Sequence, residues 1–455
     1  MIIRFSISNF LSFGCEDDYE NGSQEFSMIS GNVRTKKNHL YIDENLKLLK
    51  LASIYGANAS GKSNLVKAMS FFKQCLIQGL PIGTENKFCK LKETNKGQPS
   101  YFEMEFILEE KYYAYGFEVI LSERKFISEW LIELDKDNNN KVIFSRDIKK
   151  SGYKLGIDFE NSSVKNKLEV YIDDIKNDNT VLFLNVMNQN KKNLYQESDN
   201  VKIFRNVFDW FEDKLNIYYP NQPVSNYSYL VNPNTIEKAS KMLSAFGTDI
   251  SELKIIDVEF EEVLGQVPKE LKNIVAIDMI RSIEKAGHIK KMGMIIRSNK
   301  EIFIIDINKN SEIECKKVMF KHQSTIADFN LEEESDGTIR ILDLLEILLG
   351  GEGKTYIVDE LDRCLHPCLT YKFIETFIEL AKKENIQIIV TTHESRLMDL
   401  ELLRRDEIWF VNKEDGISNI YSLEEYNERF DRKVDKAYLE GRYKGIPVFD
   451  EVFPV

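Results

Sequence analysis

The sequence predicts an α/β fold: a mixed sheet carrying a phosphate loop, an antiparallel meander, and a mainly helical insert. Three observations predict it. The apolar run Leu51–Tyr55 enters a glycine-bearing loop, and Leu65, Ala68, Met69, Phe72 and Leu76 then follow at helical spacing. A second apolar run, Thr355–Val358, ends in two carboxylates. Between the two lie several alternating runs and then a stretch whose apolar residues step by three and four.

Length and composition set the frame. The 455 residues are 43% apolar and 30% charged, which suits roughly two or three packed units of ~100–200 residues each and excludes general disorder. The net charge of −13 opposes global attraction to a nucleic-acid backbone, so only local basic patches are available for it. No run approaches the ~18 apolar residues of a membrane helix, and Met1–Phe10 alternates like a strand instead of forming a signal peptide. A cytoplasmic location without a membrane partner is expected. The cysteines at 15, 75, 89, 315, 364 and 368 are too scattered for a disulfide framework, so reduced thiols are expected. Cys364, His366 and Cys368 make three side chains, a poor tetrahedral metal site.

Taken in order, Ile3, Phe5 and Ile7 alternate with Arg4, Ser6 and Ser8, so the chain opens with a strand. Strand, phosphate loop and helix follow over 51–77, and the runs from Tyr101 to Phe144 read as the meander. These make an amino-terminal part, 1–160. From Asn161 to Lys291 the texture is helical: Val201, Phe204, Phe208, Phe211 and Leu215 form one apolar stripe, Pro220, Pro223 and Pro233 mark a loop, and no heptad persists. This insert, 161–291, is a candidate sensor or partner surface. In 292–455 strands and helices alternate as in a parallel sheet, with a helix from about Thr338, the strand Thr355–Val358, a helix after Pro367 and a strand at Ile386–Thr391.

The chemistry concentrates in four places. Gly56-Ala-Asn-Ala-Ser-Gly-Lys62-Ser63 fits the phosphate-loop pattern and sits between strand and helix, where such a loop must lie. Gly56, Asn58, Ser60, Gly61, Lys62, Ser63 and Asn64 are therefore candidate ATP-binding residues. The glycines let amides turn toward phosphates, Lys62 reaches the β- and γ-phosphates, and the Ser63 hydroxyl completes a Mg²⁺ shell. Asp359 stands at the carboxyl end of its strand as a second metal candidate, and Glu360, one residue on, can accept a proton from attacking water. Glu334-Ser335-Asp336-Gly337-Thr338 opens a helix whose N-terminus could meet an anion, although an ordinary helix cap is the plainer reading. His393 follows the strand and Thr392; a histidine there is usually only a packed or capping residue.

The order of these features resembles the ABC-type ATPase core of the SMC and RecF-like superfamily, over about residues 1–63 and 334–412. The resemblance implies that such chains act as homodimers or higher homo-oligomers with two nucleotides sandwiched between copies. It further implies that Ser335, Gly337 and Thr338 contact the γ-phosphate held by the second copy, that Asp362 lies across that interface, and that His393 is the switch histidine beside the catalytic Glu360 and Lys62. No Q-loop glutamine is assigned among Gln74, Gln78 and Gln98.

A narrower resemblance lies in Asn9-Phe10-Leu-Ser-Phe13, Glu360-Leu-Asp362-Arg-Cys-Leu365-His366-Pro367, Thr391-Thr392-His393, Arg404-Arg405-Asp406-Glu-Ile-Trp409-Phe and Gly441-Arg442-Tyr443-Lys-Gly445-Ile-Pro447. Together these resemble the ATPases of abortive-infection and anti-phage modules, the group of AbiLi-like proteins and the AriA subunit of PARIS. That group implies a separately encoded effector, often a TOPRIM-type nuclease, controlled by the ATPase. Two alternatives stay open. One is a RecF- or SMC-like repair or recombination ATPase clamping duplex DNA through patches such as Arg34 with Lys36 and Lys37, Lys191 with Lys192, or Lys290 with Lys291, each more simply read as a solvated face. The other is a scaffold that binds ATP and scarcely turns it over. A nuclease in the same chain is not expected, since the insert lacks a Glu with a downstream Asp-x-Asp cluster of the TOPRIM kind; Asp173-Asp174 and other loose acidic pairs leave that reading open, most such pairs being solvated faces.

Overall fold

The computed structural model describes residues 1–455 except 45, 138, 160–161, 190–191, 198, 221–226, 267–291, 299, 308–312, 427–432 and 448–455. It divides into two compact units. Unit 1 comprises Met1–Pro220, Glu352–Leu361 and Ile378–Val455; unit 2 comprises Asn221–Gly351 and Asp362–Phe377. Among the described residues no helix is long and apolar enough to cross a membrane.

Unit 1 holds two large sheets. The first is antiparallel, with strands in the spatial order Gly152–Leu155, Lys141–Asp147, Lys125–Leu134, Lys111–Ile120, Ser100–Leu108, Ile2–Ser8, Gln24–Ser27. The expected meander is its centre. Along Ser100–Leu108 the buried residues Phe102, Met104 and Phe106 alternate with Glu103 and Glu105, the period that puts one face on a core. The second sheet runs Leu215–Tyr218, Thr355–Val358, Gln387–Thr391, Leu51–Tyr55, Ile408–Glu414, Ile417–Ser422, parallel except for its last pair. The expected α/β class, a mixed sheet bearing the loop beside an antiparallel meander, is the architecture observed.

The helix Lys62–Gln78 buries Leu65, Met69, Phe72 and Leu76 against both sheets' apolar faces. Phe72 stacks on Phe117 with centroids 5.4 Å apart and meets Phe211 edge-on at 5.5 Å, geometries that add to simple burial. The same core takes in Val164, Leu168, Phe183, Phe204 and Val207 from the first half of the predicted insert. Those helices, Ser162–Ile175, Phe183–Met187 and Lys202–Asp209, belong to unit 1 because their apolar stripe needs the meander to cover it. Leu215–Tyr218 then joins the parallel sheet as an edge strand. Lys73 ties that edge to the helix by donating to Glu212 O at 3.0 Å and Leu215 O at 2.6 Å; burial pulls its ammonium down to about 8.

One polar knot crosses this core. Glu129, fully buried, accepts from Arg146 at 3.1 Å, from Tyr115 Oη at 2.9 Å, and from the amides of Phe183 and Leu184 at 2.7 and 3.1 Å. A carboxylate over two free helix amides is also a cap. The Nη groups of Arg146 also donate to the carbonyls of Ile175, Asp178 and Val181, while its Nε is, among the described residues, without a hydrogen-bond partner.

Unit 2 contains an antiparallel sheet in the order Ile250–Val258, Ile313–His322, Ile302–Ile307, Met292–Arg297. The helix Asp336–Leu349 is tied to the rest of unit 2 by Asp343, which takes a hydrogen bond from Tyr227 and an ion pair from Arg297 at 2.5 Å, and by Leu342 O, which accepts from Tyr229 Oη at 2.8 Å. The helix Pro233–Ala245 starts at Asn232, whose side chain accepts from Asn234 N, with proline at the first helical position. The predicted part 292–455 is thus shared between the units, and the insert 161–291 likewise. Asn161, Lys191, Pro223, Lys290 and Lys291 lie outside the described residues.

Candidate functional site

The site of unit 1 forms where three neighbouring parallel strands end. Leu51–Tyr55 delivers Gly56, Gln387–Thr391 delivers Thr391, and Thr355–Val358 delivers Asp359 and Glu360. This carboxyl edge is where open α/β sheets place ligands. Both glycines of the loop are required by space: a methyl on Gly56 would lie 2.3 Å from Val411 O, and one on Gly61, φ +118, would lie 2.2 Å from Ser418 Oγ.

Lys62 is buried, and its ammonium donates to the carbonyls of Gly56 at 2.5 Å and Ala57 at 3.1 Å. The Ser63 hydroxyl donates to Asp359 Oδ1 at 3.2 Å. Thr391 completes the cluster: its hydroxyl donates to Asp359 Oδ1 at 2.6 Å and accepts from the Glu360 amide at 2.8 Å. Glu360 is held at φ +49, left-handed backbone that costs a non-glycine residue on the order of 1–3 kcal/mol. Asn64 donates to Ser12 Oγ at 2.8 Å, and Ser418 Oγ donates to Ser60 O at 2.6 Å while bonding Ser12 Oγ at 2.7 Å. The loop is thus braced from the first turn of the chain and from the strand Ile417–Ser422. Asn58 lies on the loop before these bonds. His393 is exposed, just past its strand.

These residues fit a triphosphate with a hard divalent cation. The helix Lys62–Gln78 begins at Gly61 with no side chain capping it, leaving amides for an anion. The Ser60 hydroxyl is buried and, among the described residues, without a hydrogen-bond partner. A carboxylate and a hydroxyl stand side by side, the oxygen donors that Mg²⁺ prefers.

The remaining candidates lie on unit 2. Ser335 is exposed and caps the helix Asp336–Leu349, accepting from Thr338 N at 3.1 Å, with Thr338 Oγ1 2.9 Å away. A methyl on Gly337 would lie 3.0 Å from Cys364 O, so this turn and the segment after Asp362 pack together. Asp362 O accepts from Leu365 N at 3.0 Å. Among the described residues no group of three or more His, Cys, Asp or Glu could hold a metal ion; His366 Nδ1 accepts instead from Cys368 N at 3.2 Å, starting a helix. Gln74, Gln78 and Gln98 are all exposed. Of the first basic patch, Lys36 donates its ammonium to Leu400 O at 2.5 Å, while Arg34 and Lys37 are exposed.

Sequence reasoning missed Thr391, Ser12 and Ser418. The doubled Thr391-Thr392 after an apolar strand is a signal for the first, and Ser12 stands inside the Asn9–Phe13 motif; nothing local marks Ser418.

A family model described as "AAA domain, putative AbiEii toxin, Type IV TA system" matches residues 51–399. No curated protein matches the chain. Similar solved structures include an SMC head bound to the C-winged helix domain of ScpA, 14% identical, covering 96% of this chain and 99% of that one with a TM-score of 0.40. The SMC head domain from Thermotoga maritima is 11% identical, covering 92% and 98% with a TM-score of 0.34. The SMC head with an extended coiled coil bound to the C-terminal domain of ScpA, from Pyrococcus furiosus, is 15% identical, covering 97% and 99% with a TM-score of 0.38.

Proposed function

The chain belongs to the family of AAA domains described as putative AbiEii toxin, Type IV TA system, and from that premise we propose that it is a Mg²⁺-dependent ABC-type ATPase controlling a separately encoded effector in an anti-phage module. The observation that supports this most is the meeting of Lys62, Ser63, Asp359, Glu360 and Thr391 at one sheet edge. Magnesium, when bound with ATP, supplies charge that offsets the phosphate oxygens.

The chain's own residues would do the rest. Lys62 exchanges its two carbonyl partners for phosphate oxygens, a charge-assisted bond in place of neutral ones. Ser63 and Asp359 present oxygens to the cation. Glu360 takes a proton from the attacking water, aimed by the Thr391 bond to its amide. His393 stands two residues beyond the strand that ends at Thr391. Ser335, Gly337, Thr338 and Asp362 are offered to a nucleotide held by a second copy, so that ATP holds two copies together and its loss changes the assembly. Effector recognition is assigned to unit 2, where Val231, Ile256 and Ile326 are exposed apolar residues. Membership of the AbiLi- and AriA-containing group, with a TOPRIM-type nuclease as effector, is part of this reading and rests on the motifs.

Lys62→Ala should abolish ATP binding and biological output together, whereas Glu360→Gln should bind ATP, hydrolyse it poorly and accumulate as the assembled form. Mixing Lys62→Ala with Ser335→Arg chains should restore part of the turnover, because one composite site stays intact. Equal ATP turnover by Glu360→Gln and the parent would remove the base; no recovery on mixing would remove the shared site. Ile326→Asp should keep turnover and lose copurification of the neighbouring gene's product.

A further inference from the structure

Residues 434–445 take no part in the chemistry above, yet they reach the phosphate loop. The helix Val434–Leu439 ends at Gly441, φ +82, where Gly441 N bonds Tyr438 O at 2.8 Å and Arg442 N bonds Ala437 O at 3.1 Å, a left-handed helix end that glycine takes readily. A second left-handed glycine, Gly445 at φ +65, sets the chain against Gly56: a methyl on Gly445 would meet Gly56 Cα at 3.5 Å.

Tyr438 occupies the bend. It is only 8% exposed; its hydroxyl donates to Gly445 O at 3.0 Å, and its ring lies 6.0 Å from that of Tyr55. Its ring stacks on Phe410 at 5.6 Å, and Phe410 stacks on Tyr443 at 5.4 Å. Phe410 is in turn the strand partner of Tyr55, the residue before Gly56.

We propose that Tyr438 is a positioning residue for nucleotide binding: its hydroxyl holds Gly445 against Gly56, the first residue of the phosphate loop, as part of a carboxyl-terminal clasp, 434–445. The inference rests on reading the loop as a triphosphate site. The hydroxyl closes the bend that seats Gly445 beside Gly56, two glycines remote in sequence, so it backs the residue from which the loop's amides start. Asp359 and Glu360 hang from another strand, so the clasp acts on binding and leaves the chemical step alone. Coupling is reciprocal: a triphosphate that needs the clasped loop must tighten the clasp.

The test uses the full chain with a non-hydrolysable ATP analogue. Tyr438→Phe keeps the ring and removes the hydroxyl; it should weaken analogue binding about tenfold, the worth of one hydrogen bond, and raise KM alike while kcat stays within about twofold. Tyr115→Phe, which removes a buried hydroxyl bonded to Glu129, should lower thermal stability and leave affinity unchanged. In the unmutated chain the analogue should slow amide hydrogen exchange over 434–445, and in Lys62→Ala it should not; this arm needs no variant of the clasp to fold. Parental affinity in Tyr438→Phe, or tail exchange indifferent to analogue in a parent that binds it, would overturn the clasp alone. A parent that fails to bind the analogue would overturn the triphosphate reading and the clasp with it.

Discussion

The hydroxyl of Thr391 donates to the carboxylate of Asp359 across 2.6 Å. Because the same oxygen accepts the Glu360 amide, one side chain sets both the metal candidate and the base candidate. Thr391→Val keeps the shape and removes the bonds, leaving a buried carboxylate oxygen and an amide short of a partner, a loss of about 1–3 kcal/mol. ATP hydrolysis should fall about tenfold to a hundredfold while analogue affinity changes little, measured by single-turnover kinetics beside equilibrium binding.

Gly61→Ala tests the loop's geometry. The new methyl would lie 2.2 Å from Ser418 Oγ on backbone at φ +118, so the loop must shift while the apolar core stays intact. The variant should keep parental circular dichroism and lose ATP binding. Adding Ser418→Ala removes the shortest contact but leaves Ser418 Cβ and Ser12 Oγ at 2.9 Å and the backbone preference unchanged, and should recover binding only in part.

Unit 1 should depend heavily on its buried charge knot. Glu129→Ala strands Arg146 with no carboxylate in a dry core, a change that typically costs about 3–5 kcal/mol. Glu129→Gln keeps an acceptor for the Phe183 and Leu184 amides and should lose less. Urea unfolding of both variants checks the order.

The phosphate loop was legible because its chemistry is local: eight consecutive residues between a strand and a helix carry the whole pattern. The meander was legible through alternation, as in Phe102, Met104 and Phe106. What escaped was relational. The stripe Phe204, Phe208, Phe211, Leu215 announced a helix with one buried face, but a stripe does not name its partner, so these residues read as an insert when they cover the meander. Leu215–Tyr218 is a four-residue edge strand whose identity comes from Thr355–Val358, far along the chain. Thr391 and Ser418 act through neighbours on other strands, which no spacing rule reports.

A pH effect follows from Glu407, buried and bonded to His39 Nδ1 at 2.9 Å and to Arg404 N at 2.7 Å. Burial raises its pKa above the usual 4.5, partly countered by His39. The folded state therefore holds a proton that the unfolded chain has released, so this group's contribution to stability falls as pH rises from 4.5 through the folded value. Glu407→Gln does not titrate, so its stability relative to the parent should improve from pH 4.5 upward, read from urea midpoints at several pH values.

The strand that carries the phosphate loop pairs with Gln387–Thr391 on one side and Ile408–Glu414 on the other, partners more than three hundred residues downstream. During synthesis the loop's sequence therefore leaves the ribosome long before anything exists to flank it. A nascent chain halted short of those strands has its lysine and serine but no cradle, so nucleotide capture is a property of the finished polypeptide.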